Sequence, residues 1–338
     1  MIAIQFIKGL KGLALWTFFY PVRWTVQCLP RRLALKIGTL LGSIHDLFIE
    51  DKLKRRIYEG IKAIWHDKLS EKEIKRLVRL NLITRYKHLV DSFLYRRLDE
   101  DRIKRIVPMI EGKAYLDEAL SSGKGAILLL SHFGSFGMLI AGLALRGYRL
   151  HQVLTLTPQL PYRTWQWIER AIMRAKLLCW QHEKVGFEFW RPGMYLRPLY
   201  RRLLQGDVLV LYGDGSRGRQ FTTVNFMGYP LLLSAGPFRI AARALVPLIP
   251  AFIVRKMDDS HRIVLEKPIM LKDDDPSDIQ QCANQYSSLL SHYVQTYPDH
   301  WFTWARIGWT FKDKERCLEF STGETEFYNS QEIGTGRL

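Results

Sequence analysis

His132 closes the apolar run GAILLLS (residues 125–131) and precedes the helical run MLIAGLAL (138–145). An imidazole at such a strand end suits general-base chemistry, because an unperturbed pKa of about 6.5 leaves it largely neutral at cytoplasmic pH. It would take a proton from a hydroxyl as that oxygen attacks a thioester. A second strand end, VLVLYGDGSRGR at 208–219, sets Asp214, Gly215, Arg217 and Gly218 after another apolar run. In open α/β sheets ligands bind beyond the carboxyl ends of the strands, and parallel strands would put these two ends on one edge. Arg217 and Arg219 stand beside glycines that let a ligand approach closely, so they suit a phosphate or a thioester carbonyl. Alone, a loop histidine more commonly bonds loop backbone, and loop arginines are more commonly solvated.

These residues need a scaffold, and the pattern of the chain supplies one. Short apolar runs at 125–131, 151–156, 207–213, 248–254 and 262–268 alternate with helical stretches. That alternation predicts an α/β fold with a mostly parallel central sheet flanked by helices. Lys256 to His261 reads as a turn between the last two strands. A helix follows over 276–296, capped by the Asp273-Asp274-Asp275 run. Upstream, residues 30–124 read as helices, with Ser70-Glu71-Lys72-Glu73 as a capping box. Ile74, Leu77, Val78, Ile83, Tyr86, Val90 and Phe93 follow it at helical spacing. The expected organisation is a membrane-interface helix at 1–30, a helical cover at 31–124, an α/β core at 125–317 and a flexible tail at 318–338.

With 50 basic and 33 acidic residues the chain carries +17, so its partner should be anionic. No aromatic-basic recognition motif is visible, which sets nucleic acid aside. Cys28, Cys179, Cys282 and Cys317 lie far apart, without the spacing of a zinc site or redox pair, and read as reduced thiols. The uncharged run at 12–22, GLALWTFFYPV, is too short to span a bilayer, which takes about 20 residues. It predicts a monotopic helix with Trp16, Phe18, Phe19 and Trp24 in the interface and Lys8, Lys11 and Arg23 at anionic headgroups. The competing structural reading is a buried core helix.

The block His132-Phe133-Gly134-Ser135-Phe136-Gly137 resembles one in the lipid A lauroyl/myristoyl acyltransferase family, part of the lysophospholipid acyltransferase superfamily. Four further stretches agree in order and spacing. They are Arg197 to Gly218, Phe226 to Pro230 with Ser234 to Pro237, Ala244 to Pro250 with Arg255, and Tyr297 to Arg306. The resemblance implies transfer of a fatty acyl chain from acyl carrier protein or coenzyme A to a hydroxyl of a membrane lipid. It implies no metal and no cofactor beyond that thioester co-substrate, and a place on the cytoplasmic face of a bacterial inner membrane. His132 would be the base, with Ser135, Gly137, Arg217, Arg219 and Arg306 on the substrate side. The family places Asp or Glu five positions after the histidine, and this chain has Gly137 there. Three explanations stand open: a substitute carboxylate, with Asp214 the first candidate; a histidine acting alone; or a catalytically degenerate lipid-binding homologue.

Overall fold

The computed structural model describes residues 18–155, 185–190, 196–215, 220–312 and 315–320. Ten α-helices lie among them: α1 Arg23–Cys28, α2 Arg31–Phe48, α3 Lys52–Trp65, α4 Glu71–Leu94, α5 Glu100–Ile106, α6 Lys113–Ser121, α7 Phe136–Ala144, α8 Arg197–Leu204, α9 Gly236–Ala244 and α10 Pro276–Thr296. Eleven strands accompany them: β1 Met109–Glu111, β2 Ala126–Leu130, β3 Leu150–Thr155, β4 Val185–Trp190, β5 Val208–Tyr212, β6 Phe221–Phe226, β7 Tyr229–Ser234, β8 Leu248–Arg255, β9 His261–Leu265, β10 Ile307–Lys312 and β11 Glu315–Phe320. Seven of them form the central sheet in the order β1-β9-β8-β2-β5-β3-β4, parallel at every pairing except β8 with β9. The five anticipated strands are all there, and the turn at Lys256–Ser260 joins the antiparallel pair.

Strand alternation divides the core into two layers. Ile127 and Leu129 of β2 with Leu209 and Leu211 of β5 face one layer, while Ala126, Leu128, Val208 and Val210 face the other. Every residue of β2 is buried, which is why these strands read as continuous apolar runs. A second sheet, β10-β11-β7-β6, was not anticipated. Its β6 strand alternates between exposed and buried positions, so it lacks the continuous apolar signature of the central strands. Residues 31–124 also contribute β1 to the central sheet, and β11 runs across the expected boundary at 317.

Helix α4 departs from its expected orientation in an informative way. The capping box is present, and Ile74, Val78, Val90 and Phe93 are buried, but Leu77, Ile83 and Tyr86 are only half-buried. A polar stripe is buried instead: Asn81, Thr84, Arg85, His88 and Asp91, at the same three-four spacing. This stripe grips the segment after α10. Asn81 donates to the carbonyls of Asp299 and Trp301, both at 2.9 Å, and Thr84 donates to the Asp299 carboxylate at 2.9 Å. Arg85 donates to the Phe302 carbonyl. On the other side Gly60 of α3 meets the same segment, where a Cβ would lie 2.0 Å from the Trp304 carbonyl oxygen.

No helix among the described residues is long and apolar enough to cross a membrane. Lys8, Lys11 and Trp16 lie outside the described residues, as does the tail at 321–338, and the side chains of Phe18 and Phe19 are likewise not described. Trp24 is exposed, whereas Arg23 is buried and covers the Tyr20 ring with its guanidinium 5.4 Å from the centroid. The expected headgroup role of Arg23 is therefore replaced by intramolecular packing.

The close approach at Gly60 yields a stability prediction. Gly60→Ala should destabilise the fold by about 2 kcal/mol, because the new methyl meets backbone that has to shift. A urea-denaturation midpoint equal to that of the parent protein would show that the segment moves aside freely.

Candidate active site

The parallel register of β2 and β5 builds the site. Leu130 is paired with Tyr212, so the residues two positions further on, His132 and Asp214, emerge side by side beyond the carboxyl edge of the sheet. His132 Nδ1 lies 2.7 Å from Asp214 Oδ1. The other carboxylate oxygen, Oδ2, accepts from the His132 backbone N–H at 3.0 Å, the Ser131 hydroxyl at 2.7 Å and the Trp301 indole at 3.3 Å. The Thr303 hydroxyl donates to it as well. Asp214 is fully buried. Burial alone would raise its carboxyl, but the charge and hydrogen bond of His132, the Arg306 guanidinium and Thr303 together hold it well below the usual carboxylate range.

That anion fixes the proton on the imidazole. A carboxylate only accepts, so Nδ1 carries a hydrogen, and the neutral form of the ring has its lone pair at Nε2. Among the described residues Nε2 has no protein partner. The ring stacks on Tyr212 with centroids 4.7 Å apart and meets Phe136 edge-on at 5.7 Å. Its side chain is 32% exposed. Arg306 donates to the Asp214 carbonyl at 3.0 Å and approaches Nδ1 to 3.4 Å. Because that nitrogen already donates to Asp214, the Arg306 approach is a charge contact only.

A second buried anion holds the histidine loop from beneath. Ser135 donates to Asp91 at 2.9 Å and accepts from Arg255 at 2.9 Å, and its side chain is buried. Asp91 also receives Arg255 at 2.6 Å and Arg31 at 3.0 Å, and lies 3.1 Å from His261 Nε2. Burial would raise the Asp91 carboxyl, and the two arginines and His261 reverse that, holding it well below its ordinary range. Gly137 faces Tyr95. A Cβ there would sit 3.2 Å from Tyr95 Cε2, so the aromatic ring fills the space a side chain would take.

Of the anticipated site residues, the structure therefore brings His132, Asp214 and Arg306 together. Ser135 is engaged with Asp91 and Arg255, and Gly137 packs on Tyr95. Arg217 and Arg219 lie outside the described residues. Sequence reasoning missed Ser131, Trp301, Thr303 and Asp91. Trp301 and Thr303 sit inside the anticipated stretch Tyr297 to Arg306, but nothing in a single sequence tells which of its side chains reach a carboxylate 87 or 89 positions earlier. Asp91 carried a readable signal, since it belongs to the polar stripe of α4. Among the described residues no group of three or more His, Cys, Asp and Glu side chains is arranged to hold a metal ion.

A histidine paired with a carboxylate thus stands at the carboxyl edge of the mostly parallel sheet of an α/β protein, the rim where such folds bind ligands. The chain matches the family described as bacterial lipid A biosynthesis acyltransferase over residues 4–307, and it belongs to that family. Membership implies acyltransferase activity, with lipid substrates and an acyl donor. No curated protein matches the chain.

His88 makes the neighbourhood of the site sensitive to acid. Its ring is buried against Phe136 and Phe302, and burial pushes its pKa down to about 3. The unfolded chain binds a proton at His88 near pH 6.5 while the fold does not, so stability contributed by neutral His88 is lost as the pH falls from about 6.5 towards 3. His88→Asn should flatten the stability-versus-pH curve in this window by about one proton. Denaturant midpoints collected from pH 7 to 4 would measure it, and parallel curves for the two proteins would contradict the assignment.

Proposed function

We propose that this chain moves a fatty acyl group from an acyl thioester, carried by acyl carrier protein or coenzyme A, to a hydroxyl of a membrane lipid or amphiphile. Asp214 stands in for the acidic residue missing at position 137. The observation that carries the reading is the 2.7 Å contact between His132 Nδ1 and a fully buried Asp214. It leaves the opposite ring nitrogen without a protein partner among the described residues.

The chemistry follows from that geometry. Nε2 takes the hydroxyl proton as the acceptor oxygen bonds to the thioester carbonyl carbon. The imidazolium that forms is stabilised by Asp214 at Nδ1. When the tetrahedral adduct collapses the carbon–sulfur bond breaks, the sulfur takes the proton back from Nε2, and ester and free thiol leave. Tyr212 and Phe136 wall the ring and restrict its rotation. Arg306 places a cation beside the reacting centre, where it favours negative charge developing on the carbonyl oxygen. Arg217 and Arg219 are assigned to the donor phosphates or the thioester carbonyl, on their sequence position alone. Membership of the family and the +17 charge support a peripheral or monotopic place on the cytoplasmic face of the inner membrane.

The competing reading, a lipid-binding homologue that has lost its chemistry, rests on Gly137. The two are separable by thiol release from an acyl-thioester in the presence of bacterial lipid extract. His132→Ala should abolish release, and Asp214→Asn should reduce it by about 10³-fold or more, since an amide no longer holds the ring in the productive tautomer. Equal release by parent and His132→Ala would remove His132 from the reaction. Gly137→Glu tests the replacement directly. The new side chain meets Tyr95, so it should add no activity and should lower stability by about 1–3 kcal/mol. A variant that is active where the parent is inert would instead establish the degenerate reading.

A further inference from the structure

Helix α2 is packed in the reverse of the usual sense. Its inward face is made of Ala34, Leu35, Gly38, Gly42 and His45, all buried. It lies antiparallel to α4, with Arg31 beside Asp91, Gly38 beside Lys87, and Gly42 so close to Ile83 that a Cβ would sit 2.6 Å from the Ile83 Cα. Apart from Leu35, which is buried, and Ile37 and Leu41, which are half-buried, the large apolar residues point the other way. Leu33, Leu40, Ile44 and Leu47 recur at spacings of seven, four and three, and Phe48 follows; Leu40 is 59%, Leu47 64% and Phe48 78% exposed. A helix that buries glycines, an alanine and one leucine inward and presents four large aliphatic residues and a phenylalanine outward is matched on that outer face to an apolar medium outside the fold.

Charge identifies that medium. Arg32 and Lys36 are exposed along one flank of the apolar stripe. Asp46, the sole acidic residue of α2, is not on the stripe and lies 3.7 Å from Lys54. Cations flanking an apolar helical face fit a bilayer with anionic headgroups, where lysine and arginine stems reach up to phosphates while leucines enter the acyl boundary. Exposed Trp24 of α1 suits the same depth.

We propose that the outer face of α2, from Leu33 to Phe48, docks the protein on an anionic phospholipid bilayer and so sets the orientation of the site. The inference deepens the acyltransferase reading, because a membrane-borne acceptor is reached only if the base is held at the bilayer. The linkage is short. Arg31, the first residue of α2, touches Asp91, and Asp91 holds Ser135 of the histidine loop.

The test uses the full-length protein and vesicles of phosphatidylcholine with or without phosphatidylglycerol. In co-flotation, Leu40→Ser/Leu47→Ser/Phe48→Ser should bind the anionic vesicles about tenfold or more weakly than the parent. Because the three side chains are already exposed, thermal unfolding should be unchanged. Arg32→Glu/Lys36→Glu, which keeps the apolar face, should weaken binding about fivefold for each cation lost, on anionic vesicles only. An environment-sensitive fluorophore at Leu40→Cys, with Cys28 and Cys179 replaced by Ser, should shift to the blue when anionic vesicles are added. Undiminished binding by both variants, or a fluorophore that does not respond, overturns the proposal. So does conversion of a dimer to a monomer by the triple variant with vesicle binding intact, which would assign the face to a second copy. Vesicle binding without thiol release would sink the enzymatic reading alone, and thiol release with a soluble acceptor but no vesicle binding would sink this one alone.

Discussion

The site depends on an anion that has been taken out of water. Moving a carboxylate into a protein interior costs several kcal/mol unless donors surround it, and Asp214 has a nearly complete set. Ser131, the His132 backbone and ring, Trp301 and Thr303 each give it a hydrogen. Those donors come from two places, the end of β2 and the segment after α10. The segment must therefore be held against the sheet, and the polar stripe of α4 holds it through Asn81, Thr84 and Arg85. The burial of a polar stripe beside the buried leucines and valines of the same helix follows from this requirement.

The same constraint explains how an acidic partner can move without changing the chemistry. An imidazole needs an acceptor at Nδ1 and an open Nε2, and it is indifferent to which strand supplies the acceptor. In the family pattern the carboxylate follows the histidine along the chain. Here the carboxylate that meets His132 is Asp214, brought from the neighbouring strand through the register that pairs Leu130 with Tyr212. The space near position 137 has been closed by Tyr95, which is itself buried.

What the sequence made legible and what it hid divide along physical lines. The central strands were readable because burial on both faces demands continuous apolar runs, as in Ala126–Leu130 and Val208–Tyr212. Helices α4 and α10 announced their starts through Ser70 and Asp275, which cap them as anticipated. The second sheet was hidden because its strands are covered on one side, so their apolar content is diluted. The meeting of His132 with Asp214 was legible only in outline. Two adjacent strand ends suggest it, but register decides it, and a slip of one residue would turn the carboxylate to the opposite face. The Asp91 cluster was hidden for another reason: it gathers residues from α2, α4, the histidine loop, β8 and β9, and no local pattern points to a meeting of five elements.

That cluster also bears on how the molecule combines stiffness with access to lipid. A base that acts on an acceptor drawn from a bilayer must keep its geometry while one side of the protein rests against a fluid medium. Asp91 joins the first residue of α2 to Ser135 and to Arg255 at the end of β8 through charge-assisted bonds of 2.6–3.1 Å. Such bonds are directional and strong when buried. They transmit the position of the helix to the loop with little slack. The glycines of α2 have a matching effect, since close approach to α4 leaves the helix almost no freedom to roll. On the docking proposed for α2, this network of buried charges lies between the outer face of that helix and the loop that carries the imidazole.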